Sequence, residues 1–134
     1  MISVALLHTR RSPPPLLAVV DDDPAIRHAL SFAFDTAGIS VVAFADGEAA
    51  LLAPDPLSWR CMVLDQRLPG ISGLDLLDKL RALGVRAPAI LITTYPSKAV
   101  VARACAVNVE IVEKPLLDNQ LSRKVFAIMA DAPG

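Results

Sequence analysis

Carboxylates, hydroxyls and one lysine follow four of the short apolar runs in this chain. In chain order these polar positions are Asp21–Asp23, Asp65, Thr93–Thr94 and Lys114. Three adjacent carboxylates repel one another, and a hard divalent cation such as Mg²⁺ supplies the counter-charge they need because it prefers oxygen ligands. Together with a hydroxyl and an ammonium group, such residues suit phosphoryl transfer, in which a carboxylate attacks and cations neutralise the phosphoryl oxygens.

Other kinds of chemistry find less support in the sequence. Asp23 precedes Pro24 and is read as an ordinary helix cap. His28 lies on a predicted helix and is expected to be solvated, so no Ser-His-Asp or Cys-His arrangement competes. Cys61 and Cys105 lie in apolar runs and are expected to be buried, reduced thiols.

The apolar runs that must position these residues look like strands buried on both faces. They are Leu16–Val20, Ile39–Ala43, Cys61–Leu64, Ala89–Ile92 and Val109–Val112. The segments between them have helical spacing, so the alternation predicts a parallel sheet with helices on both faces. In such a sheet, ligands bind outside the carboxyl ends of the strands, which is where all the polar positions fall.

Local signals place the ends of the predicted helices. Asp23, Ser72 and Asp118 are expected to cap helix starts, because a short polar side chain can accept from the free backbone amides there. Gly38 and Gly84 are expected to end the first and third helices.

Length and composition bound the remaining possibilities. A chain of 134 residues, 54% hydrophobic, has room for one domain with an aliphatic core. The formal net charge of -1 gives no general attraction to nucleic acid or to an acidic membrane. No apolar stretch is long enough to span a membrane, so a cytoplasmic protein is expected. We predict a disordered, proline-rich tail over residues 1–15, a domain over 16–130 and a short tail over 131–134.

Four stretches resemble a known family when taken together. The stretches LLAVVDDDPAIR, CMVLDQRLPGISGLDLL, ILITT and IVEKP are similar to the receiver domains of two-component response regulators, most of all the nitrogen-fixation type. The resemblance runs from about Leu16 to Met129. It implies a flavodoxin-like, doubly wound (βα)5 sandwich with a five-stranded parallel sheet in the order 2-1-3-4-5.

The resemblance also implies a role for each site residue. Asp65 would be the phosphoacceptor, and the Mg²⁺ ligands would be the carboxylates of Asp21, Asp22 and Asp65 with the backbone carbonyl of Arg67. The phosphoryl group would be bound by Thr93 and Lys114, and the bond from Lys114 to Pro115 is a candidate cis peptide. Thr94, next to Thr93, is a further phosphoryl-binding or switch candidate.

Three departures from the family's pattern concern how the domain would switch. Thr94 stands where the family usually has Ala or Gly, and Ile111 replaces the aromatic switch residue of the fifth strand. Arg67 and Tyr95 hold the positions that flank the hydrolytic water in this family, and both are large. We therefore treat Arg67, Tyr95 and Ile111 as gating candidates.

The predicted function is that of a phosphorelay signalling protein that catalyses only its own phosphorylation and dephosphorylation. Its expected partners are a histidine kinase or phosphotransfer protein, or a small acyl phosphate as donor, and a downstream protein target. No nucleic-acid or membrane contact is expected, and a homodimer is left open. Since four residues after the last helix hold no output domain, a single-domain regulator is expected.

Three alternatives to this prediction remain. The first is a receiver fragment of a DNA-binding transcriptional regulator. The second is a degenerate receiver that binds partners without phosphorylation. The third is an aspartate-based phosphatase of the haloacid-dehalogenase type, which would use Asp21 as its nucleophile and Asp23 beside it.

Overall fold

Five parallel strands form one sheet in the order β2-β1-β3-β4-β5 in the computed structural model, which describes residues 14–131. The strands are β1 (Leu16–Val20), β2 (Ser40–Phe44), β3 (Cys61–Asp65), β4 (Ala89–Thr93) and β5 (Glu110–Glu113). The helices are α1 (Pro24–Thr36), α2 (Gly47–Leu51), α3 (Gly73–Ala82), α4 (Lys98–Ala106) and α5 (Gln120–Asp131). The predicted fold class and strand order are confirmed.

Each face of the sheet has its own hydrophobic cluster. One face packs against α2, α3 and α4, with Leu64, Leu76 and Leu91 among its buried residues. The other packs against α1 and α5 and includes Phe34 and Val125. Because alternate side chains of a strand point to opposite faces, both clusters draw on β1, β3 and β4, as the continuous apolar runs of these strands predict.

Four of the strands end one residue later than the sequence predicted. Asp65 and Thr93 lie inside the ladder, where they pair with Ile92 and Glu113 respectively. The polar side chains therefore stand on the last hydrogen-bonded residue of their strands and not on a free loop. This placement restricts where their side-chain oxygens can lie.

The predicted caps are confirmed by hydrogen bonds. Asp23 accepts from the amide of Ala25 at 2.9 Å, and Ser72 accepts from the amide of Asp75 at 3.1 Å. Asp118 accepts from the amide of Gln120 at 3.0 Å. Gly38 and Gly84 end their helices at φ values of 88° and 93°, in the left-handed region that glycine adopts without steric cost.

Two sequence predictions about side chains were wrong. Cys105 is exposed on α4, because Ala104 is the one fully buried residue of that helix. The spacing of Ile26, Ala29, Leu30, Ala33 and Ala37 predicts one apolar face for α1, but its fully buried residue is Phe34, whereas Ala33 is exposed. A run of alanines and β-branched residues fits either side of a helix, so the periodicity did not distinguish the buried face.

The described residues extend slightly past the predicted domain limits of 16 and 130, which stay a prediction. The structure describes Pro14 onward, and the carbonyl of Pro15 accepts from the amide of Ser40 at 2.9 Å. Helix α5 continues to Asp131, one residue beyond the predicted limit. Residues 1–13 and 132–134 of the predicted tails lie outside the described residues. None of the helices within residues 14–131 is long and apolar enough to cross a membrane.

The start of α3 is packed tightly against the end of β3, which gives the first prediction. A Cβ at Gly73 would lie 2.5 Å from the backbone oxygen of Asp65 and 2.9 Å from a methyl carbon of Leu91. Gly73→Ala should lower the free energy of unfolding by about 1–3 kcal/mol, measured by urea titration, because the backbone of β3 must shift.

The matched control is Gly47→Ala at the start of α2. There the new Cβ would meet the side chain of Ile71, also at 2.5 Å, and a side chain can move aside more easily than backbone. We expect a smaller loss for this control. A Gly73→Ala variant more stable than the parent would contradict the packing described here, since alanine is favoured over glycine in an unconstrained helix.

Candidate phosphoacceptor and metal site

Three carboxylates meet where the sheet's central strands end. Val20 pairs with Leu64, so the residues that follow them on β1 and β3, Asp21 and Asp65, lie side by side. With Asp22, they each offer a carboxylate oxygen, and these oxygens lie within 4.8 Å of one another. The chain crosses from one face of the sheet to the other between β1 and β3, so this is the switch point at which open α/β sheets bind ligands.

Asp21 is held rigidly and is fully buried at 0% exposure. Its backbone amide donates to the carbonyl of Phe44 at 3.1 Å, and its Oδ1 accepts from the amide of Asp23 at 2.9 Å. Its other oxygen, Oδ2, is also buried, and the ammonium of Lys114 lies 3.0 Å from it. A buried carboxylate oxygen costs free energy unless a positive group binds it.

Asp65 is the second buried carboxylate, at 3% exposure. Its Oδ1 accepts from the backbone amide of Arg67 at 3.1 Å. Burial, followed by the charge of Asp21, raises the pKa of Asp65 above its ordinary value, although the Arg67 amide and Lys114 oppose the change. The ionised form of Asp65 is therefore destabilised in the absence of a cation.

Lys114 supplies the one ammonium group within reach of both buried carboxylates in the described part of the chain. Its Nζ lies 3.0 Å from Oδ2 of Asp21 and 3.2 Å from Oδ2 of Asp65. Burial alone would lower the pKa of Lys114, but the two carboxylates outweigh that effect and raise the pKa. The Lys114 amide donates to the carbonyl of Thr93 at 2.8 Å, which holds the Lys114 backbone beside the end of β4. The bond from Lys114 to Pro115 is cis.

Thr93, Tyr95 and Ile111 differ in their positions along the strands and in their exposure to solvent. Thr93 is buried, and its hydroxyl makes one long contact of 3.4 Å to the carbonyl of Thr94. Tyr95 has a φ of 46° and is 88% exposed. Ile111 is half-buried and packs against the cluster that includes α4.

These residues fit a hard divalent cation. The donors are carboxylate oxygens, two of the three carboxylates are buried, and a single ammonium group lies beside both buried ones. Mg²⁺ is bound in proteins by such oxygens together with water and phosphate oxygens. The exposed Asp22 leaves one side of the cluster open to solvent, which a phosphoryl group and waters could occupy.

Two residues near this cluster were not singled out by the sequence analysis. Arg27 on α1 donates to the backbone carbonyl of Asp21 at 2.8 Å. Gln66, directly after Asp65, uses its side-chain oxygen to accept from the amide of Leu74 at 3.0 Å. Arg27 lies one helical turn after the acidic residues and was open to prediction from this spacing, whereas nothing in the sequence distinguishes Gln66 from a surface residue.

The buried cysteine of β3 is not part of this chemistry. Burial raises the pKa of the Cys61 thiol to about 12, so the thiol stays protonated at neutral pH and is a poor nucleophile or metal ligand. His28 is exposed on α1. Within residues 14–131, the carboxylate cluster is therefore the strongest candidate for a reactive site.

Sequence comparisons agree with this geometry. Residues 17–126 match the family model described as the response regulator receiver domain. The transcriptional regulatory protein FixJ of Bradyrhizobium diazoefficiens is 34% identical over 115 residues, which cover 85% of this chain and 56% of that protein. Nodulation protein W of the same organism is 36% identical over 121 residues, which cover 90% of this chain and 53% of that protein. This chain thus spans about half the length of the curated relatives it matches.

Solved structures give the same result. The crystal structure of FixJ-N superposes with a TM-score of 0.75 at 27% identity, covering 90% of this chain and 97% of that one. The chemotaxis protein CheY4 of Vibrio cholerae has the same fold, with a TM-score of 0.77 at 23% identity, covering 86% of this chain and 98% of that one. With the family match covering most of its length, the chain belongs to the receiver domains of two-component response regulators.

Proposed function

We propose that this receiver domain accepts a phosphoryl group on Asp65 in a Mg²⁺-dependent reaction and passes the signal on by protein contact. The observation that carries the proposal is the meeting of three carboxylates with the Lys114 ammonium at one edge of the sheet. A structural ion pair would need one carboxylate for one lysine. Here the negative charge exceeds the positive charge, and an additional cation would balance it.

The proposed step is a displacement at phosphorus. A carboxylate oxygen of Asp65 attacks the phosphorus of a phosphohistidine or a small acyl phosphate, and the P–O bond forms as the bond to the donor breaks. The imidazole or carboxylate of the donor leaves with the electron pair, and the imidazole takes up a proton. The acceptor must be ionised, and a bound cation lowers the raised pKa of Asp65.

Each neighbouring residue has a proposed part in this step. Asp21, Asp22 and the backbone carbonyl of Arg67 would hold Mg²⁺ with Asp65, and the ion would neutralise charge on the transferring phosphoryl group. Lys114 would leave its carboxylate partners to pair with a phosphoryl oxygen. The Thr93 hydroxyl, with its single long contact, is free to turn and donate to another oxygen. Thr94 lies beside it and limits the room for this movement.

The donor's docking surface is proposed from a groove beside the carboxylates. A cavity of about 510 Å³ opens between α1 and the segment after β5, lined by Ile26, Ala29, Leu30, Lys114 and Leu116. Its walls are mostly apolar, and Lys114 connects it to Asp65. A histidine kinase or phosphotransfer protein that fills this groove would bring its phosphohistidine close to the acceptor.

The downstream partner is proposed to contact α4, β5 and α5. Helix α4 leaves Val101 and Cys105 exposed, and a cavity of about 460 Å³ lies between this helix and β5. Ile111 lines that cavity, so a shift of Thr93 would reach this face through aliphatic packing and not through a swinging ring. A homodimer and a role as the receiver part of a longer DNA-binding regulator are compatible with this surface. A cytoplasmic location is part of the proposal.

The phosphatase alternative has less support. Its nucleophile would be Asp21, with Asp23 as the second acid. The Asp23 carboxylate instead accepts from the amide of Ala25 as the cap of α1. Asp21 Oδ1 is engaged by the Asp23 amide, and the aspartate in the position of a receiver's acceptor is Asp65. As a receiver the domain is a signalling module and not a classical enzyme.

The proposed acceptor is tested by intact-mass measurement after incubation with Mg²⁺ and acetyl phosphate. We expect the gain of one phosphoryl group in the parent protein and in Asp35→Asn, a control on the exposed side of α1. No gain is expected in Asp65→Asn or in EDTA. A gain that persists in Asp65→Asn would overturn the assignment and favour Asp21 as the nucleophile.

The raised pKa of Asp65 predicts how the same substitution changes stability. A carboxyl whose pKa is higher in the folded protein stabilises the fold when protonated, and that contribution is lost as pH rises through the folded pKa. At neutral pH in EDTA, Asp65→Asn should therefore raise Tm by a few degrees. The difference in Tm between the variant and the parent should shrink as pH falls through the raised pKa of Asp65.

Addition of Mg²⁺ should make the parent protein more stable than Asp65→Asn. The ion should raise the Tm of the parent protein and leave Asp65→Asn nearly unchanged, because a cation that binds only the folded state stabilises it by mass action. A variant that is less stable than the parent in EDTA would show that Lys114 already balances Asp65 without a metal.

The gating candidates are tested by the lifetime of the phosphorylated form. If the large side chains of Arg67 and Tyr95 shield the acyl phosphate, Arg67→Ala and Tyr95→Asn should each hydrolyse several-fold faster than the parent. Asparagine is chosen because it tolerates the positive φ of position 95. Leu117→Ala, at an exposed position beyond the site, is the control. If the phosphorylated forms of all variants hydrolyse at the same rate as the parent, Arg67 and Tyr95 do not shield the acyl phosphate.

A further inference from the structure

Arg27 makes a contact with the carboxylate cluster that none of the roles above includes. Its Nη1 donates to the backbone carbonyl of Asp21 at 2.8 Å, across six residues of sequence. Asp21 is fully buried and precedes Asp22, so this carbonyl belongs to the peptide unit that joins two proposed metal ligands. The guanidinium therefore restrains the backbone on which both carboxylates depend.

The position of Arg27 on α1 indicates a specific role. It is the fourth residue of the helix, close to the N-terminus, where the helix dipole disfavours a positive charge. Side chains of a helix point toward its N-terminus, which allows Arg27 to reach back to Asp21. Arg27 forms no ion pair with a carboxylate among the described residues. Among the described residues, its side chain donates a hydrogen bond only to the carbonyl of Asp21.

The hydrogen bonds of Asp21 together enclose this residue. Its amide donates to Phe44, its Oδ1 accepts from the Asp23 amide, and its carbonyl accepts from Arg27. Without Arg27, the carbonyl would lose that partner, and the turn from Asp21 to Asp23 would be held by the first two bonds alone. Groups that orient metal ligands in this way often control metal affinity without touching the metal.

We propose that Arg27 is a positioning residue that orients the Asp21–Asp22 peptide and so sets the affinity of the carboxylate cluster for Mg²⁺. This inference rests on the proposed function for the identity of the cation. The positive charge of Arg27 also repels a nearby cation, and this effect alone would lower the affinity for Mg²⁺. The proposal states that orientation outweighs repulsion, which makes the direction of the change in affinity decisive.

The experiment compares Arg27→Met and Arg27→Lys with the parent protein. Mg²⁺ binding is measured by isothermal titration calorimetry, with Arg86→Met as a control that removes the same charge at an exposed site before β4. We expect Kd for Mg²⁺ to rise about tenfold in Arg27→Met, the size typical of losing a residue that orients a metal ligand. Lysine should recover part of the loss because it can still donate, and the control should bind as the parent does.

A second readout needs no metal. In EDTA, hydrogen exchange of the Asp23 amide reports on its bond to Asp21 Oδ1. We expect this exchange to become faster in Arg27→Met while amides of β3 and β4 are unchanged, which also shows that the variant is folded. If Arg27→Met does not fold, the same comparison is made on Arg27→Lys.

Each outcome decides between the claims. An Mg²⁺ affinity that stays equal or increases in Arg27→Met overturns the positioning role, and so does an unchanged Asp23 exchange rate. If the parent protein itself binds no Mg²⁺, the proposed function fails in its metal requirement. The exchange measurement then still tests whether Arg27 orients the Asp21–Asp23 turn.

Discussion

The burial of two carboxylates beside a single ammonium group is the constraint on which the rest of this structure depends. Asp21 and Asp65 lie 3.0 and 3.2 Å from the Nζ of Lys114, at the ends of β1, β3 and β5. The aliphatic sheet supplies the free energy that offsets this arrangement, because each face is covered by its own hydrophobic cluster. The result is a site with excess negative charge held in a rigid frame, which a bound divalent cation can bring into balance.

The departures from the family's usual pattern lie beside the proposed acceptor site, at Thr94, and on β5, at Ile111. The carboxylates, the lysine and Thr93 are all in place, whereas Ile111 and the left-handed, exposed Tyr95 replace the usual means of transmission. An isoleucine packed against α4 cannot rotate as a ring does, so any shift must pass through small adjustments of packed side chains.

The sequence pattern predicted the strands and the polar residues at their ends, because parallel strands that are apolar throughout bring Asp21, Asp65 and Lys114 to the same end of a sheet. The strand order came from the resemblance to receiver domains. It did not predict which face of α1 is buried or that Cys105 is exposed, since alanine-rich periodicity is ambiguous. Arg27 and Gln66 were missed for another reason. Both act on backbone groups, and such a contact is indicated in the sequence only by spacing, as for Arg27, or not at all, as for Gln66.

The most direct test of the central claim is a crystal structure with Mg²⁺ and beryllofluoride, which binds an acceptor aspartate as a phosphoryl group does. The account predicts beryllofluoride on Asp65, a metal ion in contact with the carboxylates of Asp21 and Asp65, and Lys114 turned toward the fluoride. Beryllofluoride on Asp21, or Lys114 still paired with both carboxylates and no metal beside them, would contradict it.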